Sequence, residues 1–294
     1  MADEFIGIGS DALSASINPL GAELWSLKDG QGRELMTDAD PRWWTGHAPL
    51  LFPFVGRSRG DVYRFQGREY PMPQHGFARQ RNFAAVERSA EAVTFRLEAD
   101  ADTRAAYPFD FRLDMRFAIE GATLRMTGTV GNLGAADMPF SFGYHPAFAW
   151  PLPYGGAVEA HRVLFEKAEP APIRKVGAEP GLIALESAAS PVEGNALAPT
   201  HAMFEGDALI WDRLESSGLF WGVPGRTGLK IDFPDTPWLG LWQKPGAHYL
   251  CVEPWAGMAD PVGFTGDVWG KQGIMRLARG EEQQFRMDVT VVEG

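Results

Sequence analysis

The sequence predicts an all-β protein, a large antiparallel β-sandwich forming one domain over residues 1–294. Three observations predict it. Apolar residues recur with period two, and long helical periodicity is nearly absent. Turn formers, 34 Gly and 22 Pro, are spread along the whole chain, giving a turn signal about every ten residues. With 45% hydrophobic residues, including 19 Phe and 10 Trp, the chain can bury a large core, and no shift in composition or repeat divides it.

In chain order, Ala12–Ile17 and Glu23–Leu27 read as strands separated by Pro19 and Gly21. A turn at Asp29–Gly32 precedes a further short strand. Val93–Leu97 follows, and then comes the clearest pattern. Phe111, Leu113, Met115, Phe117 and Ile119 alternate with Arg112, Asp114, Arg116 and Ala118; a Glu120-Gly121 turn leads to a return strand from Leu124 to Val130. Such alternation marks a half-buried hairpin. Leu229–Phe233, Leu239–Trp242 and Tyr249–Val252 continue the series. The C-terminus repeats the hairpin pattern, with Met275 and Leu277, a turn at Arg279-Gly280, then Phe285, Met287, Val289 and Val291. Residues 151–200, rich in Pro, Ala and Glu, read as long surface connections. Residues 256–273 read as an irregular loop able to lie over a site.

A net charge of −11 and a pI near 5.1 set the chain against a nucleic-acid backbone or an anionic membrane as partner. Its single cysteine, Cys251, excludes an internal disulfide and reads as a buried small hydrophobe. No basic segment followed by an apolar run opens the chain, so no signal peptide is expected. No apolar window reaches the length of a membrane helix. These readings predict a soluble, cytoplasmic protein, monomeric or homodimeric.

Five stretches carry residues suited to chemistry. In Pro71–Arg79, two prolines hold the chain extended, Gly76 permits a tight turn, and His75 and Arg79 present an imidazole and a guanidinium. In Phe140–Phe148, alternation turns Phe140, Phe142 and Tyr144 to one face. Ser141, Gly143 and His145 then share a small polar face beside the imidazole. Glu253 follows an apolar strand; burial there would raise its pKa toward that of a general base, and Trp255 offers a flat face for a sugar ring. Arg57, after Pro53–Gly56, and Asp207, opening an apolar run, are candidate hydroxyl binders. Each stretch also has a plain structural reading: a core histidine bonded to a carbonyl, an internal ion pair, or a turn residue. A facial triad of two histidines and a carboxylate lacks the close His-x-Asp/Glu pairing, and no CxxC or HExxH occurs, so no metal or cofactor is expected. Acyl transfer is set aside because no Gly-x-Ser-x-Gly nucleophile elbow is read and Cys251 reads as buried. A glycosidase pair, Glu253 with Asp207, leaves both histidines without a role.

Taken in order, six segments resemble the aldose 1-epimerase (galactose mutarotase-like) superfamily, most closely its LacX-like branch. They are Gly21-Ala-Glu-Leu24, Pro49-Leu-Leu-Phe-Pro-Phe-Val-Gly-Arg57, Gln74-His-Gly-Phe-Ala-Arg79, Phe142-Gly-Tyr-His-Pro-Ala-Phe148, Asp207-Ala-Leu-Ile210 and Val252-Glu-Pro-Trp255. The resemblance implies a β-supersandwich with a sugar cleft on one sheet and interconversion of sugar anomers by acid/base ring opening without a cofactor. It implies Glu253 as general base, His145 as general acid on the opposite side of the anomeric carbon, and His75 on the ring-oxygen side. Arg57 and Asp207 match its hydroxyl binders. The Gln-His-Gly-Phe-Ala-Arg segment departs from the His-Gly-Gly type of loop in galactose mutarotases and also resembles the hexose-6-phosphate epimerases. Arg79 with Arg57 would then clamp a phosphate. The implied ligand is a sugar or sugar phosphate, and a sugar-binding protein without catalysis is the alternative of a different class.

Overall fold

Two large antiparallel sheets face each other in the computed structural model, which describes residues 5–294. Met1–Glu4, where a signal peptide would begin, lie outside the described residues. The larger sheet has nine strands in the order Ala196–Leu197, Arg162–Phe165, Gly218–Gly222, Gly228–Asp232, Glu282–Val292, Thr123–Asn132, Phe111–Glu120, Ala92–Glu98, Ala84–Arg88. The second runs Phe142–Gly143, Tyr249–Ala256, Trp238–Trp242, Leu209–Trp211, Ile173–Val176, Ile183–Ala188, with Ala147–Ala149 also paired to Tyr249–Ala256. A three-stranded sheet, Ile6–Gly9, Leu13–Asn18 and Glu23–Asp29, completes the major elements.

Alternation built these sheets as read. The hairpin pairs Phe111–Glu120 with Thr123–Asn132 from Phe111 opposite Asn132 to Glu120 opposite Thr123. Phe111, Leu113, Met115 and Phe117 are all buried, because a period-two side-chain pattern turns one face of a strand to the core. Across the interior, Phe142 of one sheet stacks on Phe285 of the other at 4.9 Å, and Phe165 lies 5.6 Å from Trp211. Gly128 is a glycine for this reason: a Cβ there would come within 2.5 Å of the Phe142 ring. Tyr144 ties the layers together. Its hydroxyl accepts from Gly128 N (3.0 Å) and donates to the Phe285 carbonyl (2.8 Å).

Three expectations change. Residues 151–200 are not merely connections; they contain the strands Arg162–Phe165, Ile173–Val176, Ile183–Ala188 and Ala196–Leu197. Their buried anchors, Val163, Phe165, Ile173 and Leu197, are too sparse to give a periodic signal amid Pro and Glu. The C-terminal segments do not form a hairpin with each other. Met275–Leu277 pairs with Met138–Phe140, while Glu282–Val292 lies between Gly228–Asp232 and Thr123–Asn132. Two long neighbours bury Phe285, Met287 and Val289 far better than a three-residue strand would. After the Asp29–Gly32 turn there are only isolated bridges, Lys28 with Glu34 and Met36 with Phe148. No helix among the described residues is long and apolar enough to cross a membrane.

Tyr144→Phe leaves the Gly128 N–H buried without its acceptor, so we expect a loss of about 1–3 kcal/mol. In urea unfolding the midpoint should fall while the slope stays unchanged.

Candidate active site

The strand Tyr249–Ala256 is buried along its whole length because both faces of its sheet are covered. Leu250 and Val252 face the sandwich core, whereas Cys251, Glu253 and Trp255 pack on the opposite side. That outer face carries a cavity of about 260 Å³ whose lining includes His75, Arg79, His145, Asp207, Glu253 and Trp255. The extended run reaches four residues beyond the strand read from sequence, so Glu253 stands within the strand rather than at its end.

Glycines on the neighbouring strands make the floor. Gly240 lies opposite Glu253, and Gly143 opposite Trp255. A Cβ at Gly143 or at Gly240 would come within 2.6 Å of the Trp255 ring. The indole therefore lies flat across two bare backbones. Its Nε1 is buried without a partner, as is Glu253 Oε1.

His145 is fixed alongside by backbone bonds on both sides: Tyr144 N donates to the Pro254 carbonyl and Val252 N to the Pro146 carbonyl, each at 3.1 Å. Its Nε2 lies 3.1 Å from Glu253 Oε2. The side chains are nearly sealed, with His145 8% and Glu253 2% exposed. Burial, reinforced by the Asp207 charge, holds the Glu253 carboxyl well above the ordinary carboxylate range. Burial pushes His145 down to about 3, with the Arg79 charge acting in the same direction. Both shifts disfavour charge, so in the empty site the pair's proton resides on Glu253. The two groups stand side by side, 3.1 Å apart.

His75 is held by a different device. It has φ +67° and its N–H donates to the Gly56 carbonyl at 2.8 Å. Gly56 N donates in turn to His75 Nδ1 (3.2 Å). That bond requires a lone pair on Nδ1, so the neutral ring carries its proton on Nε2, and the Gln74 amide 3.3 Å from that nitrogen must turn its oxygen toward it. Burial first, then the neighbouring His145 and Arg79, keeps the ring neutral. Its centroid is 5.8 Å from that of His145. Gly76 permits the tight turn: φ is +73°, and a Cβ there would sit 2.2 Å from the Phe52 carbonyl oxygen.

Arg79 donates to the Gln74 carbonyl at 2.9 Å, and no carboxylate lies within 4 Å of it among the described residues. Asp207, with φ +78°, is exposed at the cavity and accepts from Ala208 N. Arg57 is not brought into the cavity. Its guanidinium makes two 2.7 Å bonds to Asp61 and a third to the Pro180 carbonyl, because the turn after Gly56 carries its own carboxylate four residues on. The pentapeptide Gly56–Gly60 does spell Gly-x-Ser-x-Gly, a correction to the expectation that the pattern is absent. Ser58 is buried and followed by one 3-10 turn, Arg59–Asp61, not by the helix of a nucleophile elbow.

Trp44 and Trp242 were also passed over. The Trp44 ring lies 5.1 Å from His145 and that of Trp242 5.9 Å. A signal existed for each: a Trp-Trp pair in a polar segment, and bulky Trp238 and Trp242 flanking Gly240 on one face of a strand. The ligating atoms of His145, Cys251 and Glu253 lie within 4.8 Å of one another. Burial keeps the Cys251 thiol protonated, and His145 Nε2, a nitrogen a metal would take, already lies against Glu253 Oε2.

The family model described as aldose 1-epimerase matches residues 5–180. The chain belongs to the aldose 1-epimerase family. It is 30% identical to the chromosomal protein LacX of Lactococcus lactis over 98% of this chain and 99% of that one. A galactose mutarotase related enzyme from Lactobacillus acidophilus has the same fold with a TM-score of 0.90, at 29% identity over 99% of this chain and 98% of its own. A galactose mutarotase-like protein from Lactobacillus casei gives a TM-score of 0.90 at 30% identity, covering 98% of this chain and 100% of that one. The aldose 1-epimerase family and this shared fold make the function mutarotase-like.

Gly76→Ala forces a left-handed alanine against a carbonyl. We expect a loss of at least about 1 kcal/mol, read by urea unfolding.

Proposed function

We propose that the protein is a cofactor-independent aldose 1-epimerase acting on an unphosphorylated hexose, with Glu253 and His145 as its acid/base pair. One observation carries this reading: a sealed carboxyl and imidazole approach each other to 3.1 Å, while Glu253 Oε1 stays without a partner at the cavity. The oxygens that exchange protons in mutarotation, the C1 hydroxyl and the ring oxygen, are bonded to the same carbon. A base and an acid that touch both must therefore be neighbours.

The proton count closes. In its ionic form the pair is a Glu253 carboxylate and a protonated His145. Glu253 takes the C1 hydroxyl proton as His145 protonates the ring oxygen, and the bond from C1 to the ring oxygen breaks to leave an aldehyde. The pair is now neutral, the arrangement that burial favours, so the site stabilises the open chain's partner state. Rotation about C1–C2 turns the other aldehyde face to the hydroxyl. On closure that hydroxyl returns its proton to His145, and Glu253 protonates the carbonyl oxygen. Each proton the pair gives up is matched by one it takes from the sugar, so the pair holds one proton before and after each half and none comes from solvent. His75, fixed with its proton on Nε2, donates to the ring-oxygen side, and Trp255 lies under the sugar's apolar face. Asp207 and Arg79 bind hydroxyls.

A free sugar is favoured over a phosphosugar because Arg57 is engaged by Asp61. Arg79 then remains as the arginine at a cavity lined also by Asp207 and Glu253. A phosphate dianion would meet one guanidinium and two carboxyl groups.

Exchange NMR between anomers should therefore show acceleration of a free aldose and none of the corresponding 6-phosphate. Glu253→Gln should lower the rate by about 10²–10⁴-fold; undiminished exchange in this variant would sink the assignment. The pH profile is a second check. The one-proton pair is lost at low pH when His145, pushed down to about 3, takes a second proton. It is lost at high pH when Glu253, raised by burial and by Asp207, gives up the first. The acid limb of kcat/KM should thus lie far below the ordinary histidine range. Asp207→Asn, by removing a charge that raises Glu253, should move the alkaline limb to lower pH.

A further inference from the structure

Behind the cavity wall lies a buried ion pair that the chemistry does not use. Lys271 and Asp260 are 5% and 4% exposed, and Lys271 Nζ donates to Asp260 Oδ1. Every other Lys or Arg ion pair among the described residues has its basic side chain at least 22% exposed. Replacing a buried ion pair by well-packed apolar residues of similar size is often neutral or stabilising, so such a pair is poorly explained by stability alone.

Its connections suggest another role. Asp260 Oδ2 accepts from Arg59 N at 2.9 Å. Asp260 N donates to the Arg57 carbonyl, and the Asp260 carbonyl accepts from Ile183 N, both at 2.9 Å. One residue thus fastens the 57–59 turn, the Ile183–Ala188 strand and the loop that begins at residue 257. Its neighbour Ala259 rests on Gly56 so closely that a Cβ on Gly56 would fall 2.5 Å from the Ala259 Cβ. Gly56 is the residue whose N–H fills His75 Nδ1 and whose carbonyl takes the His75 N–H. The path runs from Lys271 through Asp260, Ala259 and Gly56 to the imidazole.

We propose that Asp260 and Lys271 are positioning residues. Their pair presses Ala259 onto Gly56, which keeps the Gly56 N–H on His75 Nδ1 and holds the His75 proton on Nε2, facing the cavity. This rests on the reading of His75 as a group that touches the sugar. Without the pair, the loop carrying Ala259 lifts, Gly56 gains freedom, and His75 samples both tautomers.

The test uses the full-length protein with Asp260→Asn combined with Lys271→Met, which removes both charges and leaves no buried ion unpaired. Ala259→Gly is made beside it; there the ion pair stays and the methyl that rests on Gly56 is lost, while the residue 259 backbone still packs on it. Nitrogen-15 NMR of the histidine rings reports the His75 tautomer without any sugar, so it remains informative even where no sugar is turned over. We expect both variants to show a mixture of His75 tautomers where the wild type shows one. On the accelerated sugar, kcat should fall about tenfold with KM little changed, as for a misplaced group. A single wild-type tautomer and unchanged kcat in Ala259→Gly would overturn the proposal. So would a folded double variant that keeps both.

Discussion

The 3.1 Å approach of His145 Nε2 to Glu253 Oε2 is the interaction on which the site depends. In water near neutral pH the carboxyl would be ionised and the imidazole would titrate freely, at about 6.5. Here burial opposes both charges, so the pair keeps one proton and exchanges its location rather than its number. A low-dielectric pocket makes that exchange responsive to small changes in the position of a bound hydroxyl. The same burial explains the fold's investment in covering the outer face of a sheet that most sandwiches leave to solvent.

That covering follows from side chains that are absent as much as from those present. Gly143 and Gly240 leave two bare backbones beside the central strand, and Trp255 spreads over them. On the core side, Leu250 and Val252 anchor the same strand against the opposite sheet. A strand held from both faces has little freedom, which suits a site whose acid and base must stay within hydrogen-bonding distance. His75 approaches from a loop, and its orientation is set by Gly56 on one side and by the close passage of Gly76 over Phe52 on the other.

Legibility from sequence followed the strength of local patterns. The Phe111–Asn132 hairpin was plain because ten-residue strands repeat the alternation enough to outweigh chance. Tyr249–Ala256 was legible as a strand but not in extent, since Pro254 reads as a terminator; it is accommodated because it falls in the gap between the pairings to Phe142–Gly143 and to Ala147–Ala149. The strands between 151 and 200 bury one or two residues each, too few to set a period. For the site, His75, His145, Glu253, Asp207 and Trp255 were all brought to one cavity, as was Arg79. Arg57 was not, because an arginine after glycine looks the same whether it faces a ligand or an Asp61 four residues on. Trp44 reaches the cavity from a segment remote in sequence, and nothing local in the sequence specifies that approach.

If one proton shuttles within one pair, the two residues form a single unit and their losses do not multiply. The most direct measurement is a double-mutant cycle on anomer exchange: wild type, Glu253→Gln, His145→Asn, and both changes together. The account predicts that the double variant is no slower than the more impaired single one. A double variant slower by the product of the two single effects would mean that the residues act independently, and the shared-proton account would be wrong.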